Sequence, residues 1–323
     1  MATDTTTLLQ EAALRPVPPL RTRALQGVWH FARDYPLGFL GATVAVYLIS
    51  MAVVPQLFTN QDPNFQILGD RLEGPSGTHW FGADQLGRDM YTRIVYGTRT
   101  AMLIGFGLVF LAAIWATLMG TVSGYFGGAF DMFFQRIVDI GIALPGLIFI
   151  ILVVTTLRDR FAPLEAIPLP LVGWEVGMSR DIWALVFSLA VLFAVGQSRV
   201  IRGTTIAVRQ QQYVEAAIAV GAGHARVIKS HILPNVFAII LVQASITVGA
   251  AILVAAALSF LGIGVQPPTA SWGRMINEAR EWMIRAPHLA IFPGLAIFVT
   301  VWSFNMLGDA IRDKLDPRLR GTT

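Results

Sequence analysis

The chain contains no cysteine in its 323 residues, so it forms no disulfide and offers no thiolate to a metal. Lysine is nearly missing as well: Lys229 and Lys314 stand against 22 arginines in a Lys plus Arg total of 24. Neither lysine follows a glycine, so the glycine-rich phosphate loop ending in Gly-Lys-Ser/Thr is absent and the chain does not bind ATP by that device. Charged residues make up only 14% of the sequence, against about 25% in a soluble domain. Charge is scarcest inside the long hydrophobic runs. No Asp, Glu, Lys or Arg falls in the middle of any of them, and Asp139 sits only at an edge. A charge at the bilayer centre costs at least ~2.5–3.5 kcal/mol on insertion scales, and pumps keep such residues for a task. Their absence counts against a proton- or sodium-coupled carrier. The formal charge of +4 calls for no nucleic-acid partner.

What is abundant is apolar sequence: 54% hydrophobic residues and a mean hydropathy of +0.61 mark an integral membrane protein. The first run, 37–58, would rise about 33 Å as a helix, enough for a ~30 Å hydrocarbon core. Five more follow at 101–124, 137–157, 182–200, 236–262 and 288–308, with Pro145 expected to kink the third. Residues 1–36 are polar and arginine-bearing, without the apolar core of a signal peptide, and read as a retained tail. Six spans place both ends on one side. Counting Lys and Arg, the segments on that side hold 14 and the others 10, so the positive-inside rule puts both termini in the cytoplasm.

The same count makes 202–235 cytoplasmic. It reads RGTTIAVRQQQYVEAAIAVGAGHARVIKSHILPN. Thr204 to Val220 lacks Gly and Pro and predicts one helix. Gly221 and Gly223 permit a reversal, a second helix can run over 224–232, and Pro234 marks the start of the next element. Ala216 and Ala217 let a surface approach the helix backbone closely, and Glu215 is a charge that can be aimed at it. Glu215, Ala216, Ala217, Gly221, Leu233 and Pro234 fall at the spacing of the EAA loop, which this stretch resembles, with His231 where many members carry Ile. That loop belongs to the ABC importer permeases. Two more stretches resemble their dipeptide/oligopeptide/nickel branch. HWFGADQLGRD, 79–89, is similar to its outer signature, with Ala83 in place of Thr. NMLGDAIRDKLDP, 305–317, is similar to its closing motif, with Ile311 for Leu.

The resemblance implies an all-α membrane protein of the type I importer fold, with six transmembrane helices. It divides into a tail 1–36, a leading span 37–58, an extracytoplasmic segment 59–100, a five-helix core 101–308 holding the coupling loop 202–235, and a tail 309–323. The implied partners are a second permease subunit, two ATP-binding subunits, an extracytoplasmic substrate-binding protein and the lipid of the bacterial inner membrane. ATP and Mg would bind the partner ATPases, no cofactor would bind this chain, and the chain is not catalytic. The implied function is translocation of di- or oligopeptides or a related small solute by alternating access; a stand-alone secondary transporter or channel is the alternative. Coupling residues would be Glu215, Ala216, Ala217, Gly221, Ala222, Gly223, Leu233 and Pro234.

Gln243, Ser245, Thr247 and Asn305 give two spans a polar side and are candidates for the translocation path, with helix packing as the competing reading. Ala251, Ala255 and Ser259 are small residues at helical spacing, suited to close packing. His79, Asp84 and Asp89 match no metal-ligand spacing and read as turn residues, so no metal site is expected. Asp139 and Arg136 read as an interfacial anchor, and Trp272 and Trp282 as headgroup anchors.

Overall fold

Hydropathy dictates helices, and helices dominate the computed structural model, which describes residues 20–166, 169–171, 174–176 and 178–315. The polar leader contains α1 (Leu20–Asp34), and the first span is α2 (Pro36–Val53), opened by a proline at its first position. The second is α3 (Met90–Phe126), the third is split into α4 (Gly128–Ala143) and α5 (Gly146–Leu157), and the fourth is α6 (Arg180–Arg209). After them come α7 (Gln212–Ala219), α8 (His224–Val227), a π turn (Ile228–Ile232), α9 (Leu233–Phe260), α10 (Trp272–Ala279) and α11 (His288–Leu315). A short antiparallel hairpin, β1 (Leu169–Leu171) on β2 (Trp174–Val176), lies outside the spans. Among the described residues five helices are long and apolar enough to cross a membrane, and counting the bent α4–α5 pair as one span gives six. Asp316 and Pro317 of the closing motif, and residues 1–19 of the leader, lie outside the described residues.

The bundle has two ends, a loop end carrying 202–235 and a crown end carrying 59–89 and 261–287. α3 is its central post. Asp89 caps it by accepting from Thr92 N at 2.8 Å, so the helix begins well before the hydrophobic run that starts at residue 101. At 37 residues α3 is about 55 Å long, well beyond the hydrocarbon core. It packs most extensively on α6. Glycines make this approach possible: a Cβ on Gly120 would lie 2.6 Å from the Ser198 carbonyl oxygen, and one on Gly124 2.8 Å from that of Arg202. α9 covers another side of α3 with Ala251, Ala255 and Ser259, all buried, so that small-residue face is a packing face. α2 lies against α11, where Ser303 Oγ donates to the Gly41 carbonyl at 2.7 Å.

The third span is not a kinked helix but a broken one, with 95° between its halves. Leu144 is extended at φ −76°, ψ 131°, and Pro145 follows at φ −59°, ψ 113°. Proline disfavours helix at the residue before it and cannot donate to the preceding turn. On one side of the break Gly141 meets Val195, and on the other Gly146 meets Leu192, so the break lies near the middle of α6. In the fifth span the proline acts differently. α8, the π turn and α9 run as one 37-residue span, His224–Phe260. Leu233 N–H donates five residues back, to Ile228, which widens the turn that receives the Pro234 ring.

Trp272 is a correction. It is 2% exposed, and its indole N–H donates to the Ile94 carbonyl at 3.1 Å while the ring lies on Gly97. It joins α10 to α3 inside the protein instead of resting among headgroups. Asp139 likewise pairs with Arg199 of α6, at 2.5 Å, and not with Arg136, and both side chains are half-exposed.

Candidate functional site

At the loop end the expected single helix 204–220 is two. α6 stops at Arg209, Gln211 is extended at φ −78°, ψ 141°, and α7 begins at Gln212. The break turns Val214 inward, where it is fully buried, while Tyr213, Glu215 and Ala216 point to solvent. α7 then ends in a Schellman cap: Ala222 N–H donates to Ala217 O at 3.0 Å and Gly221 N–H to Ile218 O at 2.9 Å, around Gly221 at φ +85°. Gly223 makes no positive-φ turn; at φ −67°, ψ 153° it starts α8.

The loop is fastened to the bundle. Val227 and Ile232 are fully buried. Tyr125 Oη and His224 Nδ1 share a hydrogen bond at 2.9 Å, and the Arg209 guanidinium lies 5.6 Å over the Tyr125 ring. Arg202 grips Asp131 with two bonds, 2.6 and 2.5 Å, tying α6 to α4. Against this held base, Tyr213, Ile218 and Val220 are exposed apolar groups, Val220 by 85%. Glu215 has no ion-pair partner among the described residues and borders a polar cleft of about 470 Å³ shared with Ser123, Asp131, Arg209 and Ile218. Ala217 and Ala222 are half-buried, Gly221 and Gly223 exposed. Leu233 and Pro234, half-buried and exposed, begin α9, and Tyr213 approaches His231 at 6.3 Å between ring centres, so both ends of the motif meet in one surface.

Of the four candidate path residues, Gln243, Ser245 and Thr247 lie on α9 and Asn305 on α11. Thr247 is buried, receives a bond from Gln197 Nε2 at 3.0 Å and donates to Gln243 O at 2.6 Å. Ser245 turns back on Val242 O at 2.8 Å. Asn305, on α11, is exposed and stands against Gly249.

The crown holds a charged network that the reading of single residues as turn formers did not anticipate. Arg88 Nε donates to Asp84 at 2.6 Å and its Nη2 to Glu278 of α10 at 3.2 Å, joining the two crown segments. Its sequence signal is the close run of both charge signs in ADQLGRD. His79 bridges Asp89, at 2.9 Å, and Asp70, at 3.2 Å. Asp70, Glu73 and His79 bring ligand-type atoms within 4.8 Å of one another, but both imidazole nitrogens are engaged by carboxylates.

The Asp89 hydrogen bond pushes the His79 pKa up from 6.5; burial opposes the rise and the Asp70 bond adds to it. A pKa raised on folding means that the stabilisation is full below the unfolded value and fades as pH climbs through the folded one. Hydrogen exchange at Thr92 N–H, corrected for its intrinsic pH dependence, is therefore expected to lose protection as pH rises above 6.5, and His79→Gln to remove that dependence.

Residues 116–321 match the family described as binding-protein-dependent transport system inner membrane component. The chain belongs to that family. Its relatives match along nearly the whole length. The glutathione transport system permease protein GsiD of Pectobacterium atrosepticum is 37% identical over 319 residues, covering 96% of this chain and 98% of its own. The proteins of that name from Escherichia coli O6:K15:H31 and Shigella boydii serotype 4 are each 36% identical over 317 residues, covering 97% of this chain and 98% of theirs. The permease is thus a multi-pass inner-membrane subunit of an ABC importer and is not itself catalytic. ATP-driven and substrate-binding partners come with that membership.

Proposed function

We propose that the permease passes small peptides, the chemical class to which glutathione belongs, across the inner membrane, paired with a second, related permease chain and driven by two ATPase subunits, one of which grips α7. Near-full-length similarity to permeases named for glutathione supports the substrate class. The observation that carries the coupling is Glu215, without an ion-pair partner among the described residues, presented beside Ala216 on a helix held from below by Val214 and closed by the Gly221 cap. ATP shifts a two-state protein only through contacts that differ between the states, and this helix is where such contacts would enter. ATP and Mg belong to the ATPases. Both termini and the loop end face the cytoplasm, and the crown faces the substrate-binding protein.

Topology gives a direct test. A reporter fused at Gln211 should score cytoplasmic and one at Asp70 extracytoplasmic; the opposite pattern removes the coupling assignment. Substrate is tested with the complex in proteoliposomes and its binding protein. Labelled glutathione or dipeptide uptake should need ATP, and competition by unlabelled peptides should rank the class.

A further inference from the structure

A groove of about 830 Å³ descends from the crown end between α2 and α6, with α3 as its floor. Arg99, Met102, Phe106 and Phe110 form one stripe of that floor, at helical spacing, while Val53 and Trp183 belong to the two walls. Its lining is apolar except at two side chains, and both of those are donors. Arg99 has no acceptor among the described residues, and Trp183 Nε1 is buried without one. Both stand toward the crown. Trp183 lies in the first turn of α6, and Arg99 adjoins Thr100, whose hydroxyl donates to Ala270 of the crown at 2.8 Å.

From Arg99 to Ala113 the groove follows α3 for ~21 Å, against ~15 Å for half of a bilayer's hydrocarbon core. Its depth is therefore one leaflet and a headgroup. An extended peptide would leave its amides unpaired along Met102 to Phe110, where the floor offers nothing to bond them.

We propose that this groove is a phospholipid site. The phosphodiester accepts from Arg99 and from Trp183 Nε1, and an acyl chain lies over Phe106 and Phe110. The two unanswered donors then meet the one anion that is abundant at headgroup depth, and the hydrocarbon fills an apolar trough that has no polar group to offer water. The lipid would brace α2 against α6, two helices that flank α3 here without packing extensively on each other.

The test uses the whole complex, delipidated in detergent and titrated with dioleoylphosphatidylglycerol under native mass spectrometry. The wild type should retain the lipid, and Arg99→Gln should bind it about tenfold or more weakly, the loss expected for a charged hydrogen bond. Arg99→Lys should keep most of the affinity, and Gly107→Leu, which fills the groove beside Val186, should abolish it. Monoolein, which has no phosphate, should not distinguish wild type from Arg99→Gln. Because the chain has no cysteine, Leu103→Cys carrying a benzophenone maleimide gives a single crosslinking point on this subunit, and its adduct should be lipid. Equal phosphatidylglycerol affinity in wild type and Arg99→Gln overturns the proposal, and so does a Leu103→Cys adduct to the second permease subunit. ATP-dependent uptake by the same variants establishes that they are assembled.

Discussion

A complex carrying Glu215→Lys should remain assembled in the membrane as this subunit and still lose uptake by about thirtyfold or more, the scale of a hot-spot contact worth ~2 kcal/mol. The reason is local. Glu215 is exposed on α7 and makes no ion pair among the described residues, so its replacement breaks nothing inside the chain. Whatever is lost is lost at a partner. Gly221→Pro approaches the same helix from its end. Gly221 sits at φ +85°, which proline cannot adopt, and its N–H closes the cap on Ile218. Uptake, subunit abundance in the membrane and co-purifying ATPase should be measured together. Loss of uptake with normal abundance is the expected pattern for both variants, and undiminished uptake in either one refutes coupling through α7. Glu215→Gln keeps the shape and removes the charge, so it separates electrostatic recognition from steric fit.

The second large effect is structural. Trp272→Ala should destabilise the subunit by ~3–5 kcal/mol, the usual cost of emptying a large aromatic site. The indole is 2% exposed, fills the surface left by Gly97 and satisfies the Ile94 carbonyl at 3.1 Å. Its removal takes away the fastening between α10 and the central post. Trp272→Phe keeps most of the volume and drops the hydrogen bond, so it should fall between. Thermal unfolding of the purified complex, followed through this subunit's aggregation, measures the order. A wild-type midpoint in Trp272→Ala would mean that the residue lies against headgroups, as its interfacial sequence context suggests.

That contrast shows where sequence reading succeeds and where it stops. Spans are written in hydropathy, because lipid forces every backbone group into local hydrogen bonds; five of the six segments became long helices in place. The Gly221 turn was equally legible, since only glycine enters that conformation freely. Contacts between elements were not. Asp139 has Arg136 as its neighbour in sequence but finds Arg199 across the helix interface. The break at Gln210–Gln211 has no proline or glycine to announce it, and it exists because Val214 is drawn into the core. Pro145 announced a bend, but not its 95°, which depends on how Gly141 and Gly146 seat α4 and α5 against Val195 and Leu192. The EAA spacing pointed to a surface at the loop end, where Tyr213 and His231 approach each other.

The interrupted third span has a consequence for what can surround the subunit. Where α4 stops and α5 starts, the closing carbonyls of one and the opening amides of the other fall outside intrahelical pairing, near the middle of α6. Acyl chains have neither donors nor acceptors to give them. The flank bearing Ile140, Leu144, Leu147 and Ile148 is oily and uncovered by its own chain, yet hydrocarbon is the wrong solvent for the backbone beneath it. This side of the molecule is reserved for another polypeptide or for water.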